Sequence, residues 1–257
     1  MRVAIHQPHY LPWLGLVHRM AEADLFVVLD HVQFERGNYQ NRTQVRVNGM
    51  PHWLTVPVVQ RSQQERIVEK EIDWSRDWAT AHYETLRRAY AAAGHFTAYA
   101  GELACIYARR WTRLVEVNDA MLGFVRDAYG IGTPLVKSSR LGVYGAKSEL
   151  VLNVCKAVGA RTLIVGLGGS RGYLDRAAFA RAGVALELQQ FSHPVYPQRG
   201  GAAFTAGLSA VDLLFNCGPD ARRVLLGIRG RSPNFRHSPS VAVRAPSPNS
   251  ADVAIAA

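Results

Sequence analysis

RVAIHQPHYLPWLGLVHRM, residues 2–20, decides how the fold is read. Arg2–Ile5 reads as a short buried strand. Polar and turn-forming residues then crowd together: His6, Gln7, Pro8 and His9, followed by Pro12, Gly15 and Arg19. Tyr10–Met20 reads as a helix that begins behind Pro12. Proline suits a helix start because its missing N–H is one that the first turn leaves unpaired anyway. A strand that runs into a stiff polar loop and then a helix is the opening of an α/β unit.

The same grammar recurs along the chain. LFVVL, Leu25–Leu29, is an apolar run of strand length that ends at Asp30. TLIV, Thr162–Val165, is another, and GLGGSRG follows it at once. Leu135–Lys137 and Val184–Phe191 supply two more strands. Ser148–Val158, Asp175–Ala182 and Leu208–Phe215 supply helices. Between them, Gln44–Val58 alternates like two antiparallel strands turning at Asn48–Gly49. Gln60–Asp73 is polar and reads as a mobile loop with an edge strand. From about 75 to 129 the pattern is helical, with Gly94 as a stop and the second run broken in two.

These readings predict an α/β fold: a mostly parallel central sheet with flanking helices, a small antiparallel hairpin and a helical middle segment. Residues 1–231 read as one α/β domain with a helical insertion at about 75–129. Residues 232–257, rich in Ser and Pro, read as a flexible tail.

Composition narrows the function classes. The 257 residues are 48% hydrophobic, enough for a large core. Thirty Lys and Arg against twenty Asp and Glu give a formal charge of +10. The basic residues are spread out and form no tail, finger or RNP motif, which argues against a nucleic-acid partner and for an anionic small molecule. The N-terminus is too short and polar for a signal peptide, and no apolar run reaches the length of a membrane span. Cys105, Cys155 and Cys217 lack metal-site spacing and suggest a reducing cytoplasm.

In open α/β sheets, ligands bind where strands end. His6 and His9 follow the first strand, and imidazole titrates close to neutrality, so they are candidates for acid–base work or for holding an anion. Asp30 ends the second strand and is a candidate for orienting a histidine or binding an amine. Gln7, Gln33 and Asn41 are candidate polar contacts. Arg19 and Arg42 suit a carboxylate or phosphate. Gly166, Gly168, Gly169 and Ser170 read as an anion-accepting loop or a plain turn, with Tyr173 beside it. The loop lacks the lysine of a P-loop and the spacing of a dinucleotide fingerprint. His193 and Tyr196, in FSHPVYPQ, are further candidates, with a rigid turn as their alternative. Trp13, Tyr39, Trp53, Trp74 and Trp78 offer a pocket wall, Trp53 being expected to face the core. A metal site on His6, His9 and Asp30 is not favoured, and no cofactor can be named.

The segments IHQPHYLPWLG, ADLFVVLDHVQFERGNYQNRTQVRVNG, LTVPV, GLGGSRGYLD, HPVYPQ and LSAVDLLFNCG, in this order, resemble the WbqC-like family over roughly residues 2–218. The resemblance implies a companion of surface-polysaccharide or natural-product biosynthesis. By position it marks His6, Gln7, Pro8, Pro12, Gly15, Asp24, Asp30, Gln33, Asn41 and Arg42 early in the chain. Later it marks Gly166, Gly169, Tyr173, Leu174, Tyr196, Pro197, Asp212, Asn216 and Gly218. Arg19 stands where the family prefers lysine.

The leading expectation is a biosynthetic transferase that joins an acyl or aminoacyl unit to an amino-bearing acceptor, an aminosugar or amino acid. Its partners would be an anionic donor, including a carrier-linked thioester, and that acceptor. His6 would be the base, Asp30 would orient the amine, and Arg42 with the glycine loop would hold the donor. The alternatives are a nucleotidyltransferase or carboxylate-activating enzyme that uses a nucleotide, and a binding protein without catalysis.

Overall fold

The computed structural model describes residues 1–166, 168, 172–199 and 203–228, so the expected tail lies outside the described residues. Five parallel strands form the central sheet: β1 (Arg2–His6), β2 (Leu25–Val28), β5 (Leu135–Lys137), β6 (Thr162–Val165) and β7 (Ala185–Leu188). Their order is β5-β2-β1-β6-β7. The chain therefore winds outward from β1 through β2 to β5, returns to the other side of β1 with β6, and continues to β7. The crevice between the β1 and β6 ends is the switch point of a doubly wound sheet, where such folds place ligands.

Strand alternation sends side chains to two cores. Ala4, Phe26, Val28 and Ile164 pack on one face with Leu14, Leu16, Val17 and Met20 of α1 (Leu14–Glu22). Val3, Val27, Leu29, Leu163 and Val165 pack on the other. There they meet α5 (Lys147–Ala157) through Leu150, Val151 and Val154, and α6 (Arg176–Arg181) through Phe179. Both faces are covered, as parallel strands require, and this is why LFVVL and TLIV are unbroken apolar runs.

The hairpin pairs β3 (Arg42–Val47) with β4 (Met50–Thr55), turning at Asn48 and Gly49, both with positive φ. Three helices follow: α2 (Trp78–Tyr90), α3 (Phe96–Ala108) and α4 (Leu114–Ala128). Their Leu86, Leu103, Leu114 and Met121 join the same core as α1 and α7 (Ala210–Cys217), and α8 (Ala221–Leu225) closes the described chain.

Two expectations change. The 60–73 stretch forms no regular strand. It lies alongside residues 30–34, held by Phe34 N–H to Glu65 O, Ile67 N–H to Val32 O and Val68 N–H to Asp30 O at 2.8–2.9 Å. Lys70, 1% exposed, pairs with Glu65 at 2.5 Å and fastens it. Trp53 does not face the core. It pairs with Gln44 on the outward register of the hairpin and is 37% exposed, while its neighbour Leu54 is the buried residue.

Candidate functional site

β1 runs one residue further than its apolar run suggests, and His6 is its last residue. The His6 carbonyl accepts from Leu29 N–H at 2.7 Å, so the histidine is built into the sheet edge. The loop that follows is clamped at three points: Tyr10 N–H to Tyr39 O, Thr43 Oγ1 to Leu11 O, and Ala210 N–H to Pro12 O. Leu11 sits at φ +45°, a region that a leucine enters only under constraint. Clamps, prolines and strain together fix where His6 and His9 point.

The two imidazoles meet edge to face, with centroids 4.5 Å apart. His6 Nδ1 lies 2.8 Å from the Gln7 carbonyl, which can only accept, so Nδ1 carries the proton and Nε2 is the basic nitrogen. His9 is 2% exposed, and neither of its ring nitrogens has a hydrogen-bond partner among the described residues. A buried polar atom left unpaired costs about 1–3 kcal/mol, so this ring stands out.

Arg19 reaches the same place from α1. It is 4% exposed, and a Cβ on Gly166 would overlap its Nη1. Glycine is thus required at the end of β6 for the guanidinium to lie against the backbone. Burial, then His9, then Arg19 hold His6 well below the usual imidazole range. Burial and Arg19 push His9 down to about 3. Both rings are therefore neutral near pH 7 beside a fixed positive charge. Tyr173 and Leu174 line a small cavity with Arg19, Ile5 and Gly166.

A run of ring contacts leads away from this centre. Tyr39 stacks on His9 at 5.6 Å, Trp53 lies 5.5 Å from Tyr39, and the Arg42 guanidinium sits 4.2 Å over Trp53. His6, His9, Arg19 and Gly166 are thus brought together, with Arg42 at the far end of the run. Gln7 supports the loop by accepting from Gln40 Nε2 at 2.8 Å.

Other candidates are placed elsewhere or hold structure. Asp30 is fully buried. Its Oδ1 accepts from Ser138 Oγ and Ser139 N–H, and its Oδ2 from Ser139 Oγ, which ties the β2 end to the β5 end. Ser138 Oγ is also 2.6 Å from His31 Nδ1. Asn41 donates to Val56 O at 2.9 Å and braces the hairpin. Gln33 donates to Gln63 O and faces the 60–73 stretch. His193 Nε2 accepts from Gly207 N–H and its Nδ1 donates to Pro194 O, so it fixes its own loop. Tyr196 donates to Asp212 Oδ2 at 2.8 Å. Asp212, fully buried, also accepts from Tyr90 and Gln198 at 2.8 Å. Burial raises the Asp212 carboxyl, while its three side-chain donors and Arg46 oppose the rise. Gly168 is half-buried, and Gly169 and Ser170 lie outside the described residues.

Sequence reasoning undervalued Tyr39 and Trp53 as parts of the site. The signal was in the hairpin: Gln44 and Trp53 share the outward register with Arg42, opposite to the buried Thr43, Val45 and Leu54. Among the described residues, no three His, Cys, Asp or Glu side chains are grouped to hold a metal, and no helix is long and apolar enough to cross a membrane.

The model of the WbqC-like protein family matches residues 7–224. An uncharacterized protein of Mycobacterium tuberculosis (strain ATCC 25618 / H37Rv), Rv1507c, is 30% identical over 222 residues, covering 86% of this chain and 95% of its own. No solved structure matches.

Proposed function

The chain belongs to the WbqC-like protein family, and from that premise we propose that it is a biosynthetic transferase joining an acyl or aminoacyl group to an amino-bearing small molecule. The observation that carries this reading is the meeting of His6, His9, Arg19 and Gly166 at the β1/β6 switch point. Arg19 and the backbone at Gly166 hold the anionic part of the donor. As the acceptor amine attacks the donor carbonyl, its nitrogen becomes acidic, and neutral His6 takes that proton at Nε2. The C–N bond forms and the bond to the leaving group breaks. The proton on His6 then passes to the leaving group. His9 and Arg19 stabilise the developing oxyanion from a site prepared before reaction. Asp30, bound to Ser138 and Ser139, positions the β2 end in this scheme.

A second reading is favoured by the strand order itself. A histidine pair after β1 and a glycine segment after its neighbour β6 also suit the phosphates of a nucleotide. In that case the enzyme would activate a carboxylate or transfer a nucleotidyl group.

The test is product formation by mass spectrometry from an amino acid or aminosugar acceptor, with acetyl-coenzyme A in one arm and ATP plus an amino acid in the other. His6→Ala should lower turnover by roughly 10²–10⁴-fold with little change in Tm. Equal loss of folding and turnover would mark His6 as structural. Turnover only in the ATP arm would favour the second reading.

A further inference from the structure

We infer that Tyr39, Arg42 and Trp53 form a second anion subsite, which takes a carboxylate or phosphate on the part of the substrate remote from the reacting carbonyl. This deepens the reading of the strand end as a ligand site and rests on it.

Three observations carry it. First, the ring contacts are continuous: His6 to His9, His9 to Tyr39, Tyr39 to Trp53, and Trp53 to the Arg42 guanidinium, each step 4.2–5.6 Å. The run links the histidine pair to a cation. Second, the Arg42 side chain has no acidic partner and no hydrogen-bond partner among the described residues, and its Nε is buried without one. Arginine presents a planar fork of donors that matches carboxylate or phosphate, and here the guanidinium sits over the Trp53 indole. Third, the register places Arg42 and Trp53 diagonally on one face of the hairpin, so the pair is set by β3–β4 pairing rather than by a loose surface contact.

The same geometry says why Trp53 stays on an exposed strand. Met50, Pro51, His52, Trp53 and Thr55 are all exposed, so β4 contributes only Leu54 to the core. Trp53 is held instead between Tyr39 and Arg42.

Pyrophosphate and citrate, titrated separately against the full chain with tryptophan emission as the readout, test the subsite and separate a phosphate from a carboxylate source. At least one should give a saturable change. That change should weaken about tenfold or more in Arg42→Ala, the scale of one charge-assisted contact, be partly kept in Arg42→Lys, and vanish from the emission signal in Trp53→Phe. Unchanged Tm in Arg42→Ala would show that the fold is intact. Anion binding that is weakened by His9→Gln yet indifferent to Arg42→Ala would overturn the subsite and leave the strand-end reading standing. Anion binding indifferent to both variants, or no binding of either anion in the millimolar range, would overturn the subsite and the strand-end reading together.

Discussion

Two of the buried polar clusters among the described residues differ in how their polar atoms are paired. Around Asp212, every oxygen is answered: Tyr90 donates to Oδ1, and Tyr196 and Gln198 donate to Oδ2. Arg46 closes the outer edge by donating to Gln198 and to Ala203 O. Around His9, both ring nitrogens go without partners among the described residues while Arg19 stands beside them. The first cluster joins α2, α7 and the hairpin to residues 196–198 and 203–205. The second sits at the switch point, at the end of β1. A carboxylate with both oxygens answered ties elements of the fold together, whereas a buried imidazole with neither nitrogen paired among the described residues is what the proposed ligand site would use.

The contrast breaks most easily at Asp212. Asp212→Ala strands the donors of Tyr90, Tyr196 and Gln198 at once, and should cost about 3 kcal/mol or more in denaturant unfolding. Ligand response at the strand end should be lost only in step with folding. If Asp212→Ala were neutral to stability but removed binding, the roles assigned to the two clusters would be reversed.

A sharper cut falls at Gly166. A Cβ there must displace the Arg19 guanidinium, the movable end of a long side chain. Gly166→Ala should cost about 1–3 kcal/mol of stability, as overpacking does, and weaken binding of an anionic donor by more than that stability change explains. Titration calorimetry beside thermal unfolding separates the two.

A further way to sharpen the contrast is the pH profile. An unfolded imidazole titrates near 6.5, and His9 in the fold is pushed down to about 3. Between these values the unfolded chain binds a proton that the folded one refuses. Stability from this term is therefore fully present above about 6.5 and falls as pH drops toward 3. His6 shifts in the same direction, and Arg19 faces both rings. His9→Gln should flatten the acid limb over that window in chemical denaturation, leaving the part due to His6. An unchanged slope would mean that His9 ionises freely in the fold.

The fold was legible because both sheet faces are covered: LFVVL and TLIV had to be unbroken apolar runs, and their ends had to carry the polar residues. His6, His9 and Gly166 follow from that rule, whereas Arg19, on α1, does not. What was not legible is where a side chain spends its hydrogen bonds. Asp30 at a strand end looks the same in sequence whether it faces a substrate or two serines 108 and 109 residues away. His193 and Tyr196 sit in a loop that reads as a site, yet their partners are Gly207 and Asp212. Trp53 was misread because hydrophobicity alone does not give strand register. Pairing with Gln44 does.

The most direct measurement is nitrogen-15 NMR of the His6 and His9 rings during titration with ATP and, separately, with acetyl-coenzyme A. With the free protein, His6 should show the Nδ1–H tautomer and both rings should be neutral at pH 7. Binding of either donor should move the two rings together, toward hydrogen-bonded or protonated nitrogens. A donor that binds the protein and leaves both sets of ring nitrogens unmoved would contradict the account.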